Sequence, residues 1–90
     1  MDVRKAAEAA RDYLVSIRRE FHQHPELSMQ EFRTAQRIEE ELDRLGIPHT
    51  RVGETGVLGT LRGEKEGGRA VVLRADIDAL PIEETHECAY

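Results

Sequence analysis

Ala70-Val71-Val72-Leu73-Arg74-Ala75-Asp76-Ile77-Asp78-Ala79-Leu80-Pro81 begins with four apolar residues and ends on two carboxylates, spaced i, i+2, ahead of a proline. A continuous, β-branched apolar run of this kind reads as a strand buried on both faces. Pro81 cannot donate to a ladder, so pairing stops there. The segment therefore carries Asp76 and Asp78 to the carboxyl end of a buried strand, which is where ligands bind in open α/β sheets. Acids in such a place also serve simply to solubilise a turn or cap the next segment, so the pair gains meaning only from the rest of the chain.

Upstream of this strand, residues 49–52 read as a short strand, Gly53-Glu54-Thr55-Gly56 as a turn and residues 57–62 as a second strand. The loop Gly63-Glu64-Lys65-Glu66-Gly67-Gly68 joins that second strand to residues 69–75 as a hairpin. It lacks the Gly-Lys-Ser/Thr ending of a phosphate cradle, and its two glutamates repel phosphate. Ahead of the strands, Ala6, Ala10, Leu14, Ile17 and Phe21 recur at helical spacing, predicting one amphipathic helix over residues 4–23 that packs on a sheet. His24-Pro25-Glu26 breaks it. A second helix is predicted over residues 29–45, with Ser28 and Glu31 as a capping box and Leu27 closing on Phe32 as a hydrophobic staple. Its inner face is Phe32, Ala35, Ile38, Leu42 and Leu45. Gly46 is its left-handed terminus, Ile47 folds back on Leu42, and Pro48 ends it. Glu39-Glu40-Glu41 reads as its solvated face, with Glu40 placed to pair with Arg44.

Ninety residues with 39% apolar content make one small domain, hiding only about 60% of its unfolded surface. The net charge of −5 argues against nucleic acid or an anionic membrane as partner. The single cysteine, Cys88, excludes an internal disulfide and fits a reducing compartment. No stretch has the apolar core of a secretory signal or approaches the roughly 18 residues of a membrane span. A cytoplasmic protein is expected. Two helices, one hairpin and one buried strand are an incomplete α/β layer, because such a strand needs cover on both faces and neighbours on both sides. The 90 residues are thus expected to be the front end of something larger.

Chemistry is sparse elsewhere. His22 and His24 point about 200° apart on a helix and cannot share a metal; helical zinc ligands sit at i, i+3 or i, i+4. His49 lies at a strand edge and His86 in a polar tail, where it and Cys88 make at most half a zinc site. Asp76-Ile77-Asp78 alone admits a phosphatase with an Asp-x-Asp nucleophile and general acid. There, however, Thr or Val usually follows the second acid, and here Ala79 does.

Taken together, three blocks point elsewhere. Arg18-Arg19-Glu20-Phe21-His22-Gln23-His24-Pro25-Glu26-Leu27-Ser28, with Glu31 and Thr34 after it, is the first. Thr55-Gly56-Val57-Leu58-Gly59-Thr60-Leu61-Arg62-Gly63 and Leu73-Arg74-Ala75-Asp76-Ile77-Asp78-Ala79-Leu80-Pro81-Ile82 are the others. In order and spacing they closely resemble the metal-dependent amidohydrolases: hippurate hydrolases, aminoacylases (N-acyl-amino-acid amidohydrolases) and auxin-conjugate hydrolases, a branch of the two-metal peptidase group. The resemblance runs from about Tyr13 to Pro81.

The resemblance implies that residues 1–90 are the N-terminal portion of a two-metal peptidase-like α/β catalytic domain. The lid and dimerisation domain and the remaining catalytic segment lie outside them, so any homo-oligomer of the longer protein forms through parts not present here. It implies hydrolysis of the amide bond of an N-acyl amino acid or small peptide with two divalent ions, zinc or manganese, which activate a bridging water. The wider group carries His-x-Asp-x-x-Pro, in which the His binds metal and the Asp orients a metal ligand. Asp78 matches that aspartate. Asp76 stands at the histidine position, where the amidohydrolase branch usually has an acid, its metal being held by a downstream Cys-Gly-His. Cys88 is followed by Ala89-Tyr90 and is not assigned as that ligand, and Glu83 and Glu84 do not replace the general-base glutamate. His22, His24 and Glu26 also match family positions and are expected to shape the turn between the helices, Glu26 reaching backbone donors at the second helix start. No metal is expected in these 90 residues alone, and no amide hydrolysis. The other class of reading is a non-catalytic α/β module that pairs with a partner chain through a sheet edge.

Overall fold

The computed structural model of the chain describes residues 2–64 and 67–80. Three helices, α1 (Val3–Ala9), α2 (Arg11–Gln23) and α3 (Phe32–Arg44), precede two strands, β1 (His49–Val52) and β2 (Gly56–Gly59). The strands pair antiparallel, with Thr50 opposite Leu58 and Val52 opposite Gly56. The class is mixed α/β, as expected.

The single helix predicted over residues 4–23 is two helices. Asp2 caps the first by accepting from the Lys5 N–H at 3.2 Å, and Ala10, at φ −88° and ψ 1°, separates it from α2. Every residue of α1 is exposed. Its apolar face is built from alanines, which offer too little area to hold it against a neighbour.

Helix α3 starts three residues later than predicted. Residues 27–30 form a turn closed by the Gln30 N–H on the Leu27 carbonyl at 2.9 Å, and Met29 sits at φ +69°, a conformation no α-helix admits. This turn removes the Ser28 capping box: Glu31 is itself the N-cap residue, and no side chain of its own caps the helix. Leu27 and Phe32, the expected staple, are both exposed. The other end agrees closely with the prediction. Gly46 is left-handed at φ +71°, its N–H reaches the Asp43 carbonyl at 3.1 Å, and the Ile47 N–H reaches the Leu42 carbonyl at 2.9 Å. That pair of bonds is a Schellman motif.

The hairpin rests on α3 where β2 is smallest. A side chain at Gly59 would already touch Leu42 and Ile47 at 3.4–3.6 Å. Ala35 is the one fully buried apolar side chain among the described residues, alongside buried Thr34, Thr55 and Glu31. The radius of gyration is 15.5 Å, against about 12 Å for a compact chain of this length.

The expected buried strand is the main correction. Residues 69–75 form no strand, and Val71, Val72 and Leu73 are 85%, 83% and 93% exposed. The hairpin between residues 57–62 and 69–75 does not form either. Among the described residues β1–β2 is the only sheet, and an apolar run with neither neighbouring strands nor a covering layer has nothing to bury itself against. Pro81, Glu83, Glu84, His86 and Cys88 lie outside the described residues.

Gly56 has no room for a side chain, since a Cβ there would lie 2.6 Å from the Val52 carbonyl oxygen. Gly56→Ala is expected to abolish the cross-strand nuclear Overhauser contacts between Thr50 and Leu58. Gly63→Ala, with nothing within 4 Å, is expected to leave them intact.

Candidate active-site segment around Asp76 and Asp78

The turn that breaks the helical run also anchors the aspartate segment. The Ala79 N–H donates to the Glu26 carbonyl at 2.8 Å. The carboxylate of the same glutamate turns to the start of α3. Its Oε1 accepts from the Thr34 N–H and the Thr34 hydroxyl, both at 2.6 Å, and its Oε2 from the Arg33 N–H at 3.2 Å. Glu26 thus reaches the backbone donors that the sequence suggested, and supplies the cap that Ser28 does not. A cap of this kind is worth about 1 kcal/mol. Partial burial pushes the Glu26 pKa up, but the Thr34 hydroxyl, the two N–H donors and the Arg33 charge outweigh it and hold the carboxyl below its ordinary value. The Thr34 side of this clamp was not legible beforehand. The available signal was a hydroxyl at the third position of a helix whose own N-cap is engaged elsewhere.

That other engagement is with the hairpin. The Thr55 hydroxyl donates to Glu31 Oε1 at 3.2 Å, both groups being buried. The aspartate segment lines two clefts. The first, about 470 Å³, sets Asp76 and Asp78 beside His22, His24 and Glu26. The second, about 380 Å³, sets them beside Ser28, Glu31, Thr55 and Arg74. Asp76 pairs with Arg74 at 3.0 Å, both side chains largely in solvent, where such a pair contributes little. The structure therefore brings His22, His24 and Glu26 to one wall of a cleft that Asp78 also lines. Among the described residues no three His, Cys, Asp or Glu side chains converge to hold a metal ion, so those present do not build a metal centre.

A second electrostatic cluster holds α2 to α3. Glu41 accepts from the Tyr13 hydroxyl at 2.8 Å, Arg37 at 2.6 Å and Arg44 at 2.5 Å, and Arg37 reaches across to Glu20 at 2.8 Å. Arg44 also lies over the Tyr13 ring at 5.4 Å. The expected Glu40–Arg44 pair is replaced by Glu41–Arg44. The acidic run is not wholly solvated either, since Glu39 binds Arg51. His49 Nε2 lies 2.6 Å from Asp43, while its Nδ1, 3.4 Å from Glu39, has ion-pair distance without hydrogen-bond geometry. Hydrogen bonds from Arg44, Arg37 and Tyr13, in that order, lower the Glu41 pKa to about 2.

Comparison with known proteins adds what geometry lacks. The chain is 46% identical over 81 residues to thermostable carboxypeptidase 2 of Saccharolobus solfataricus, a match covering 88% of this chain and 20% of that protein. It is 43% identical over 90 residues to the putative amidohydrolase YhaA of Bacillus subtilis, covering 99% and 22%. It is 43% identical over 76 residues to the N-acetylcysteine deacetylase of the same organism, covering 79% and 19%.

This chain belongs to the amidohydrolase and peptidase family. It spans about one fifth of the length of these relatives. No family model and no solved structure matches it. Among the described residues of this family member, no helix is long and apolar enough to cross a membrane.

Both Glu41 and Glu26 titrate below their ordinary value of 4.5. A depressed carboxyl stabilises the fold above its unfolded pKa, and that stability drains away as pH falls through the folded value. Helix content by circular dichroism is therefore expected to hold above pH 4.5 and to fall between 4.5 and about 2. Glu41→Gln is expected to weaken the fold at neutral pH and flatten that acid limb.

Proposed function

We propose that these residues are the N-terminal part of the catalytic domain of a metal-dependent hydrolase that cleaves the amide bond of N-acyl amino acids or small peptides. The observation that carries this reading is identity of 43–46% to three proteins whose names share one bond type. A carboxypeptidase, an amidohydrolase and an N-acetylcysteine deacetylase all break a carbonyl–nitrogen bond of an amide.

Within that reading Asp78 is the active-site carboxylate. It lines two clefts on a segment hydrogen-bonded to the Glu26 carbonyl, and its part is to accept a hydrogen bond from a neighbouring group and fix that group's orientation and basicity. Asp76 pairs with Arg74 on the same segment. None of the described residues is assigned to the two divalent ions of the proposal, zinc or manganese, because no three His, Cys, Asp or Glu side chains converge among them. The 90 residues alone, about one fifth of the length of these relatives, are proposed to be inactive. The exposed apolar residues Leu61, Val71, Val72 and Leu73 support the placement within a larger domain, as they form the kind of patch that further protein covers. A cytoplasmic location and a small-molecule or peptide substrate belong to the same proposal.

In the longer protein, Asp78→Asn is expected to lower amide hydrolysis of N-acetyl amino acids by about 10–100-fold, the range for losing a group that orients a metal ligand. A chelator is expected to abolish the activity and added zinc or manganese to restore it. Full activity in the Asn variant removes Asp78 from the site; full activity after chelation removes the metal.

A further inference from the structure

One residue holds the aspartate segment to the helices through both its main chain and its side chain. We infer that Glu26 is the positioning residue of the Asp78 carboxylate, a role that rests on the reading of Asp78 given above. Residues 74–80 belong to no strand, so no ladder fixes their path. Their tie to the turn is the Ala79 N–H on the Glu26 carbonyl, at 2.8 Å. Ala79 is the next residue after Asp78, so this bond sets the peptide plane at the carboxyl side of the aspartate and, through it, the direction in which the side chain leaves the backbone.

The acceptor is itself immobilised. Pro25 fixes the backbone just before it, and the Glu26 carboxylate takes three hydrogen bonds from the first turn of α3, two of them from Thr34, which is only 4% exposed. A simple helix cap needs only the carboxylate. Here the carboxylate locks the main chain whose carbonyl then holds the aspartate segment, so a change at the α3 end is transmitted to Asp78. Displacements of about 1 Å in such a group cost up to about 100-fold in rate.

Amide hydrogen exchange on the full chain tests the coupling. Glu26→Ala is expected to speed exchange at Ala79 by about tenfold while Ile47, in the motif at the far end of α3, changes by less than about twofold. Thr34→Val, which removes one donor and keeps the volume, is expected to act in the same direction with a smaller effect. Unchanged exchange at Ala79, or a rise in step with Ile47, overturns the inference. In the longer protein, Glu26→Ala is expected to lower kcat by about tenfold with KM within about twofold. Gly46→Ala, which strains α3 at its other end, is expected to leave kcat within about twofold, and equal kcat losses in both variants reduce Glu26 to a structural cap. If Asp78→Asn keeps full activity the reading of Asp78 fails, whereas the exchange result still decides whether Glu26 holds the segment.

Discussion

The three hydrogen bonds that converge on the Glu26 carboxylate are the constraint on which the rest of the arrangement depends. They satisfy two N–H groups that would otherwise be orphaned at the start of α3, and they release Glu31, the residue in the N-cap position, for a different task. Glu31 turns to Thr55 and ties the hairpin to the same helix end. The first turn of α3 thus becomes the meeting point of the helical turn, the hairpin and the aspartate segment. Removing the Glu26 side chain would free the helical turn and the aspartate segment from this point, while the hairpin keeps its own tie through Glu31.

The surroundings of this junction are held more by charge than by packing. Ala35 is the single fully buried apolar side chain among the described residues, and the α2–α3 interface is bridged by Glu20, Arg37, Glu41, Arg44 and Tyr13. Ion pairs at partly wet sites are individually weak. Several sharing one carboxylate, however, lose less side-chain freedom per contact than separate pairs do. The apolar faces that the periodicity assigned to a core are present, with Ile17, Phe21, Ile38 and Leu42 lining a groove between the helices.

The parts of the fold that were legible are those fixed by neighbours in sequence. Gly46, Ile47 and Pro48 announce the end of α3 because a left-handed residue and two short-range hydrogen bonds suffice to make it. Gly53 and Gly56 announce the β1–β2 turn for the same reason. The start of α3 was misread because two local motifs competed: the Ser28–Glu31 box is a sound pattern, yet the turn through Met29 took precedence once Glu26 was available to cap from a distance. The apolar run at residues 70–73 was read correctly as to its chemistry and wrongly as to its state, since burial of a strand is decided by partners that its own residues cannot supply. In the candidate site, Asp76 and Asp78 stood out as an acid pair, though at the end of a strand that does not form among the described residues, and Glu26 as a residue reaching α3. The bond that joins the two, from an N–H to a carbonyl, has no side-chain signature.

The exposed run bears on self-association. Val71, Val72 and Leu73 offer an unpaired, β-prone edge that invites another copy of itself. Arg69 and Arg74 stand at its two ends. Arg69 sets a positive charge at one margin, and the Arg74–Asp76 pair and Asp78 set charged groups at the other; charged residues flanking an apolar run act as gatekeepers in the sense used for aggregation-prone strands. The segment thus carries charged groups at both margins that oppose its own stacking.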